Sequence, residues 1–442
     1  MTMTAPGDER IGRAALAKAS WRLLPLIGLG YGIAYMDRVN ISFAALRMNQ
    51  DLHFSAAVYG LGGGLFFLSY ALFEVPSNLL LVRFGARRWI ARIMLTWGLL
   101  AIGMMFVRTP VQFYLMRFLL GLAEAGFFPG VIYYLTQWFP SAHRGKAISR
   151  FYVAWPLSTV VMGALAGALL NLQGRLGLSG WQWLFLVEGL PALVMSGVIL
   201  LLLPDGPANA AWLSDDEKSW IERRLATDAA LTGAQDHGFW RALAHPRVLQ
   251  LGAVNFLLLG GFYAFTLSAP AVLDGATHLG VTKVGYLIAF AGLLGAAAMV
   301  LNGWHSDRTQ ERFFHLAIPF VLMAAAFAAL STSAPPLVAM IAYVAAVACN
   351  AAIGGVFWLV PGDLLHPRSM AVSVAAINAI GQSGSFVSPY AWGLAKDHTG
   401  GFQAGLAALP AAFLLAAAIV LFVRRQTRSF RRAARLARLP AS

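Results

Sequence analysis

Two short stretches of the chain place cations and carboxylates inside long apolar runs. The first holds Asp37 and Arg38, and the second holds Arg117 and Glu124. A charged side chain at bilayer depth costs roughly 3 kcal/mol or more, so such residues usually face a partner or a water-filled path. Arg117 and Glu124 are seven residues apart, which on a helix is about 10 Å along nearly one face. The pattern predicts that the arginines bind an anion and the carboxylates handle protons.

Each of these residues also has a purely structural interpretation. Arg38 and Arg117 could snorkel to the membrane surface or pair internally with Asp37 or Glu124. A permanent ion pair that holds two helices together would equally explain Glu124. The functional interpretation expects both guanidinium groups to contact substrate, because each offers a bidentate fork to one carboxylate of a dianion. It expects Asp37 and Glu124 to couple protons, because burial and nearby arginines change a carboxylate's proton affinity.

Polar and aromatic side chains at comparable predicted depth are further candidates for substrate contact. In the first half they offer hydroxyl or indole groups, and in the second half they are uncharged amides and aromatics. They are Tyr35, Tyr70 and Trp155, then Asn255, Tyr263, Trp358, Asn378 and Gln382. Asn378 and Gln382 are four residues apart and so share one face of a helix. For every one of them, core packing or a helix–helix hydrogen bond is the alternative.

The composition indicates a helical membrane protein. Of 442 residues, 59% are hydrophobic and 12% are charged, whereas soluble domains carry about 25% charged residues. Apolar runs of about 20 residues predict membrane-spanning helices, in which every backbone polar group is satisfied within the segment. Twelve runs fit this length: 21–46, 57–81, 89–107, 111–138, 147–172, 182–203, 247–270, 282–304, 313–331, 335–360, 369–395 and 402–423.

The basic residues predict the orientation of these spans. The net charge of +14 is concentrated in alternate loops, at 10–22, 83–92, 144–150 and 308–312, and in the tail 424–438. Cytoplasmic loops carry an excess of Lys and Arg, so both termini are expected on the cytoplasmic side. We expect the basic tail to attract anionic lipid, in preference to nucleic acid.

A polar stretch separates two sets of six runs and predicts three parts. These are a first half at 1–203, a cytoplasmic linker at 204–246 and a second half with the basic tail at 247–442. Within the linker, Ser214 and Glu217 fit a capping box at the start of an amphipathic surface helix. Short basic loops at 82–88 and 303–312 follow the second and the eighth run, which supports two related halves.

Specific motifs resemble the major facilitator superfamily, and within it the anion:cation symporter family. They lie at 35–42, 73–80 with 83–87, 117–130 and 138–145, and the resemblance covers nearly the whole chain. In detail they are similar to the bacterial tartrate and phthalate transporter branch. One departure is Val82, in the loop between the second and third runs, where many superfamily members have an acidic residue. This leaves gating contacts in the first half less defined than those around Asp307 and Arg308.

The resemblance implies an all-α membrane protein of twelve helices and proton-coupled import of a small organic anion, such as a tartrate-like, phthalate-like or sugar acid, by alternating access. Substrate and proton roles then fall on Asp37, Arg38, Arg117 and Glu124. Gating or structural roles fall on a second group, in which we expect Glu74 to pair with Arg87 or Arg144. That group consists of Glu74, Arg83, Arg87, Arg144, Asp307 and Arg308.

Other classes of protein find little support in the sequence. No ATPase motif, metal-ligand spacing or nucleophile constellation is present, so we expect no enzyme, metal or cofactor. The single cysteine, Cys349, excludes an internal disulfide. An anion exchanger or exporter is the alternative within transport, and a transporter-like membrane sensor is the alternative outside it. We expect a monomer in a bacterial inner membrane.

Overall fold

The computed structural model describes residues 6–232, 244–332, 335–365 and 370–436, and across these ranges the chain is helical. Parts of the predicted linker, at 233–243, and the end of the basic tail, including Arg438, lie outside the described residues. The helices up to the linker are α1 (Pro6–Asp51), α2 (Ala56–Phe84), α3 (Ala86–Gly103), α4 (Pro110–Glu124), α5 (Phe127–Thr136), α6 (Ser141–Tyr152), α7 (Ala154–Leu170), α8 (Gly180–Leu202) and α9 (Asp215–Thr232).

The helices after the linker are α10 (Pro246–Thr266), α11 (Ala269–Thr277), α12 (Val281–Thr309), α13 (Phe314–Ser331), α14 (Pro336–Phe357), α15 (Val360–Leu364), α16 (Met370–Thr399) and α17 (Gln403–Leu436). Within the described ranges, 10 helical segments are long and apolar enough to cross a membrane. The predicted all-helical membrane fold is confirmed. The long helices α1 and α16 are outside that set of ten, so the count of twelve spans stays a prediction.

The chain divides into two compact units. Unit 1 contains Met1–Arg47 and Leu68–Ala234, and unit 2 contains Met48–Phe67 and Gln235–Ser442. The first part of α2 belongs to unit 2, where Asp397 of α16 accepts hydrogen bonds from the backbone amides of Ala56 and Ala57 at 2.9 and 2.8 Å. A carboxylate at this position satisfies two of the amides that a helix start leaves unpaired.

The linker helix α9 packs within unit 1. The predicted capping box is confirmed, because the Ser214 amide donates to Glu217 and the Glu217 amide donates to the Ser214 hydroxyl. Lys18 of α1 also donates to the Glu217 carboxylate at 2.9 Å. Asp228, near the other end of α9, accepts from the Ser141 amide at the start of α6. These polar ties hold α9 against both α1 and α6.

The basic tail begins inside α17 and has a partner within unit 2. The Arg424 guanidinium donates to Glu311 at 3.2 Å and lies over the Phe314 ring at 3.9 Å. The first arginine of the tail is therefore held by the protein itself.

One apolar run that looks continuous in sequence is broken in the structure. Thr109 and Gln112 form a capping box that starts α4, with Pro110 at the first helical position. The helix stops at Glu124, and Gly126 adopts a left-handed conformation with φ of 85° before α5 begins. A Cβ atom on Gly126 would lie 2.4 Å from the Ser77 hydroxyl oxygen. Glycine at this break therefore fixes the end of the helix that carries Arg117 and Glu124.

We predict that Gly126→Ala lowers the free energy of unfolding by at least ~1–2 kcal/mol, because the left-handed backbone is unfavourable for a residue with a Cβ and that atom would overlap Ser77. Thermal unfolding of the purified protein in detergent measures the change. Gly145→Ala is the matched control, since Gly145 lies inside α6 and a Cβ there meets nothing within 4 Å. A melting temperature for Gly126→Ala equal to or above that of Gly145→Ala would contradict the prediction.

Candidate functional site

A buried ion pair joins the two stretches that the sequence singled out. The Arg38 guanidinium of α1 donates through Nε to Glu124 Oε1 of α4 at 2.7 Å, and its Nη2 also contacts that oxygen. Glu124 is fully buried, and 12% of the Arg38 side chain is exposed. The second oxygen, Glu124 Oε2, accepts no hydrogen bond from the described residues. In this conformation Arg38 pairs with Glu124. This internal ion pair is the contact that the structural interpretation of both residues predicts.

Asp37 and its neighbour Arg38 contact different partners. Its carboxylate accepts hydrogen bonds from Trp97 Nε1 of α3 at 3.0 Å and from Asn40 Nδ2 at 3.2 Å. Only 2% of Asp37 is exposed. Two donors satisfy a buried carboxylate that would otherwise be very costly in an apolar surrounding. The position of Asp37 is therefore fixed by α3 as well as by its own helix.

Arg117 is a second cation near the carboxylates of Asp37 and Glu124. It is 2% exposed, on the buried face of α4. Its charge acts on both Asp37 and Glu124. The structure thus brings Asp37, Arg38, Arg117 and Glu124 together within unit 1, as a network of two cations and two carboxylates.

Three aromatic candidates lie in the same unit. The Arg38 guanidinium lies over the Tyr70 ring at 4.8 Å, a cation–π geometry. Tyr35 packs against Trp155 with ring centroids 5.6 Å apart. Tyr35 and Tyr70 are buried, and Trp155 is half-buried. The Tyr70 ring thus contacts a member of the charged network.

The second-half candidates lie in unit 2 and make contacts there. Asn255 is buried and donates to the Ile377 carbonyl at 3.2 Å, which ties α10 to α16. Tyr263 packs on Phe67 with centroids 4.4 Å apart. Trp358 is 37% exposed and contacts Phe357. Asn378 and Gln382 are half-buried on α16. Their roles in substrate contact stay predictions.

The residues expected to gate or support the structure make local contacts. Arg87 donates to the Leu200 carbonyl, and its backbone amide donates to Asp205, which links α3 to the end of α8. Arg83 lies over the Phe84 ring at 5.6 Å, and Glu74 and Arg144 are half-buried. In unit 2, Asp307 pairs with Arg312 at 2.5 Å, and Arg308 lies over Trp304. The geometry adds Arg312 as the partner of Asp307.

Sequence reasoning missed three residues of the site. Trp97 and Asn40 hold Asp37, and Glu188 of α8 is a third buried carboxyl group close enough to feel the Asp37 charge. Trp97 gives no signal in sequence, because an indole fits an apolar helix, whereas Asn40 gives one as an amide inside the first apolar run. Glu188 also gives one, since it is a carboxyl group inside the sixth apolar run. Among the described residues, no group of three metal-ligating side chains is present.

The comparisons with known proteins agree with this architecture. The family model described as Major Facilitator Superfamily matches residues 27–389. The chain belongs to the Major Facilitator Superfamily. It is therefore a multi-pass membrane transporter, and the family and its relatives are transporters rather than enzymes.

Two relatives are similar over nearly their whole length. A protein of Agrobacterium vitis named "Putative tartrate transporter" is 43% identical over 415 residues, which is 93% of this chain and 92% of that protein. A "Quinolone resistance transporter" of Acinetobacter baumannii is 39% identical over 388 residues, covering 88% of this chain and 89% of the relative.

A solved structure supports the fold of this superfamily member. The crystal structure of a bacterial homologue of the human lysosomal transporter Spinster matches with a TM-score of 0.75 and 18% identity, over 96% of this chain and 98% of that one. At this identity the likeness shows the fold alone.

We predict that Trp97→Phe destabilises this superfamily member by roughly 1.5–3 kcal/mol beyond the loss of packing, since a hydrogen bond to a buried charge is removed. Trp89→Phe is the matched control, because Trp89 Nε1 donates to the neutral Ser77 hydroxyl at 3.0 Å. Thermal unfolding in detergent compares the two variants. Equal losses would show that the indole bond to Asp37 adds no more than an ordinary neutral bond.

Proposed function

We propose that the protein imports a small organic anion together with protons, by alternating access, in the inner membrane of a bacterium. The observation that supports this most directly is the buried Arg38–Glu124 pair beside Asp37 and Arg117. The resemblance to anion:cation symporters and the relative named for tartrate point to the same class of substrate. Twelve spans, cytoplasmic termini and halves at 1–203 and 247–442 joined by the linker belong to this proposal.

The ion pair suggests how substrate and proton binding are linked. Arg38 is held by Glu124, so a carboxylate of the substrate must compete with Glu124 for the same guanidinium. When Glu124 takes up a proton it loses its charge, and the pair with Arg38 weakens. Arg38 is then available to the anion, together with Arg117. Proton and anion therefore favour each other's binding, which is the reciprocal coupling that symport requires.

The position of the two arginines favours dicarboxylates. Arg38 lies on α1 and Arg117 on α4, so the two guanidinium groups belong to different helices and can each face one end of a dianion. Each bidentate pair with a carboxylate adds both energy and geometric selection. Tyr70, which lies against Arg38, adds a hydroxyl for orientation.

Export is the second candidate function. The relative from Acinetobacter baumannii is named for quinolone resistance. The same charged network serves export if the anion that leaves exchanges for another anion that enters, because a proton and an anion that favour each other's binding move in the same direction. Measuring both uptake and efflux in oriented vesicles determines the direction of transport independently of the substrate class.

We predict that Glu124→Gln abolishes proton-driven accumulation of labelled tartrate in proteoliposomes and leaves counterflow exchange measurable. The amide keeps the size of the side chain and donates no proton, so it separates proton coupling from anion binding. Glu222→Gln is the matched control, because Glu222 is exposed on α9.

Loss of accumulation and counterflow together, in a variant that still folds, would argue that Glu124 only holds α1 against α4. Unchanged accumulation would remove Glu124 from proton coupling.

We also predict that tartrate and phthalate compete for binding better than acetate and benzoate, and that Arg117→Lys reduces binding of the dicarboxylates by roughly ten-fold or more. The physical reason is the loss of a charge-assisted bidentate contact, worth ~1.5–3 kcal/mol. Thermal shift and isothermal titration with purified protein measure both. Monocarboxylates that compete equally well, or dicarboxylate affinity unchanged in Arg117→Lys, would contradict the two-arginine site.

A further inference from the structure

Cations and aromatic rings alternate in a column where α2 ends and α3 begins. The Phe84 and Trp89 rings are stacked, with centroids 5.7 Å apart and an interplanar angle of 13°. The Arg92 guanidinium lies 3.9 Å from the Trp89 ring centroid, and the Arg83 guanidinium lies 5.6 Å from that of Phe84. Trp89 Nε1 also donates to the Ser77 hydroxyl at 3.0 Å, which fixes the indole against α2. The arginine–aromatic column, residues 83, 84, 89 and 92, is therefore held in place by named contacts.

The arginines of this region have no carboxylate partner among the described residues. Arg83, Arg88 and Arg92 take part in none of the ion pairs there, and Arg92 Nε donates no hydrogen bond. A nearby carboxylate, Asp205, accepts from the Arg87 backbone amide at 2.9 Å and so compensates the start of α3. Within the described residues, three positive charges are thus left without an internal counter-ion.

One face of α3 carries two of these cations next to an apolar strip. Arg88, Arg92, Leu95 and Leu99 are spaced at four, three and four residues, so they share one side of the helix. Arg88 is exposed, Arg92 is half-buried, and Leu95 and Leu99 are 45% and 55% exposed. The opposite side of α3, which includes Trp97, is buried. The face from 88 to 99 is about 16 Å long at 1.5 Å per residue, about the depth of one leaflet of the hydrocarbon core.

This face has the layout of a lipid site. It belongs to a helical segment, Ala86–Phe106, that is long and apolar enough to cross a membrane. Exposed leucines on such a segment suit contact with acyl chains, and tryptophan is enriched at the headgroup level. Guanidinium groups bind phosphate through bidentate hydrogen bonds. An anionic headgroup supplies the negative charge that the arginines lack, whereas a zwitterionic headgroup brings a cation of its own.

We propose that this face binds an anionic phospholipid, with the phosphate on Arg88 and Arg92 and an acyl chain along Leu95 and Leu99. Trp89 holds the Arg92 guanidinium on its ring and so sets the position of that donor at the membrane surface. The site goes beyond the transport function proposed above and depends neither on its substrate nor on its coupling ion. The predicted orientation of the spans assigns the lipid to the cytoplasmic leaflet.

Photo-crosslinking of the full chain tests the proposal. The protein is reconstituted in vesicles of equal parts phosphatidylcholine and phosphatidylglycerol, with a photo-reactive tracer of one lipid or the other. We expect the phosphatidylglycerol tracer to label peptides of α3 roughly ten-fold more than the phosphatidylcholine tracer, since each arginine near the surface adds about 1 kcal/mol of attraction to anionic lipid. Mapping the labelled peptides separates this site from lipid at the basic tail. Equal labelling of α3 by both tracers overturns the proposal.

Two double variants with the same loss of charge show whether the arginines on this face are responsible. In Arg88→Gln/Arg92→Gln we expect the labelling ratio at α3 to fall to about one, because both phosphate ligands are gone. Arg108→Gln/Arg175→Gln is the matched control, since both of its arginines are exposed and lie outside this face, and it should keep the wild-type ratio. Equal ratios in the two double variants overturn the proposal.

Competition separates a lipid headgroup from a free phosphate. Inorganic phosphate and glycerol 3-phosphate have no acyl chain to lie along Leu95 and Leu99, so we expect neither to reduce labelling by the phosphatidylglycerol tracer. Displacement of the tracer by either anion at equal concentration would make this an aqueous anion site and overturns the lipid assignment.

Single variants test the column and guard against misfolding. Trp89→Leu removes the ring beneath Arg92 and should lower the labelling ratio roughly three-fold or more, while Trp21→Leu, at a tryptophan that is 80% exposed on α1, should not. An unchanged ratio in Trp89→Leu overturns the role of the column. If the double variant does not fold, as judged by its melting temperature, Arg88→Gln replaces it with Arg108→Gln as control. None of these measurements involves transport, so failure of the proposed substrate leaves their result intact.

Discussion

The central constraint on this structure is that charge buried in an apolar medium must be compensated by other groups of the protein. Arg38 and Glu124 meet that requirement with each other, and Asp37 meets it with an indole, an amide and the nearby Arg117. In lipid no water is available to replace a missing partner, so each of these contacts fixes a helix. The charges on α1 and α4 and the Trp97 indole on α3 therefore tie these three helices together in unit 1.

The proposed transport mechanism uses the same constraint. A pair that is stable only while both partners are charged can be opened by one proton or by one competing anion. In one conformation, a permanent ion pair and a proton-coupled site therefore have the same geometry. They differ in whether the ion pair opens when a proton or an anion binds. Glu124 has one oxygen that accepts no hydrogen bond from the described residues, and this oxygen is the proton acceptor that the proposed mechanism needs.

Small residues and helix breaks set the precision of the arrangement. Gly126 ends α4 directly after Glu124, and Gly189 brings α8 close to α3 directly beside Glu188. In both places a glycine adjoins a buried acid. The backbone conformation or close approach that glycine permits decides where the neighbouring carboxyl group points. The glycine beside each acid therefore influences whether the carboxyl group meets a partner.

The sequence by itself determined that the chain is a helical membrane protein, because apolar length and charge deficit are properties of composition. It also identified Asp37, Arg38, Arg117 and Glu124, because a charge in an apolar run is visible without any structure. It did not decide which residues pair, because packing between segments far apart in the chain determines which face of one helix contacts another.

Only the tertiary structure showed that Arg38 pairs with Glu124 while Trp97 and Asn40 hold Asp37. Only the tertiary structure brought Glu188 of α8 close to Asp37 of α1. The physical reason is that hydrogen bonds and ion pairs are short-ranged. A rotation of one helix by a single residue position would exchange these partners without changing the sequence pattern.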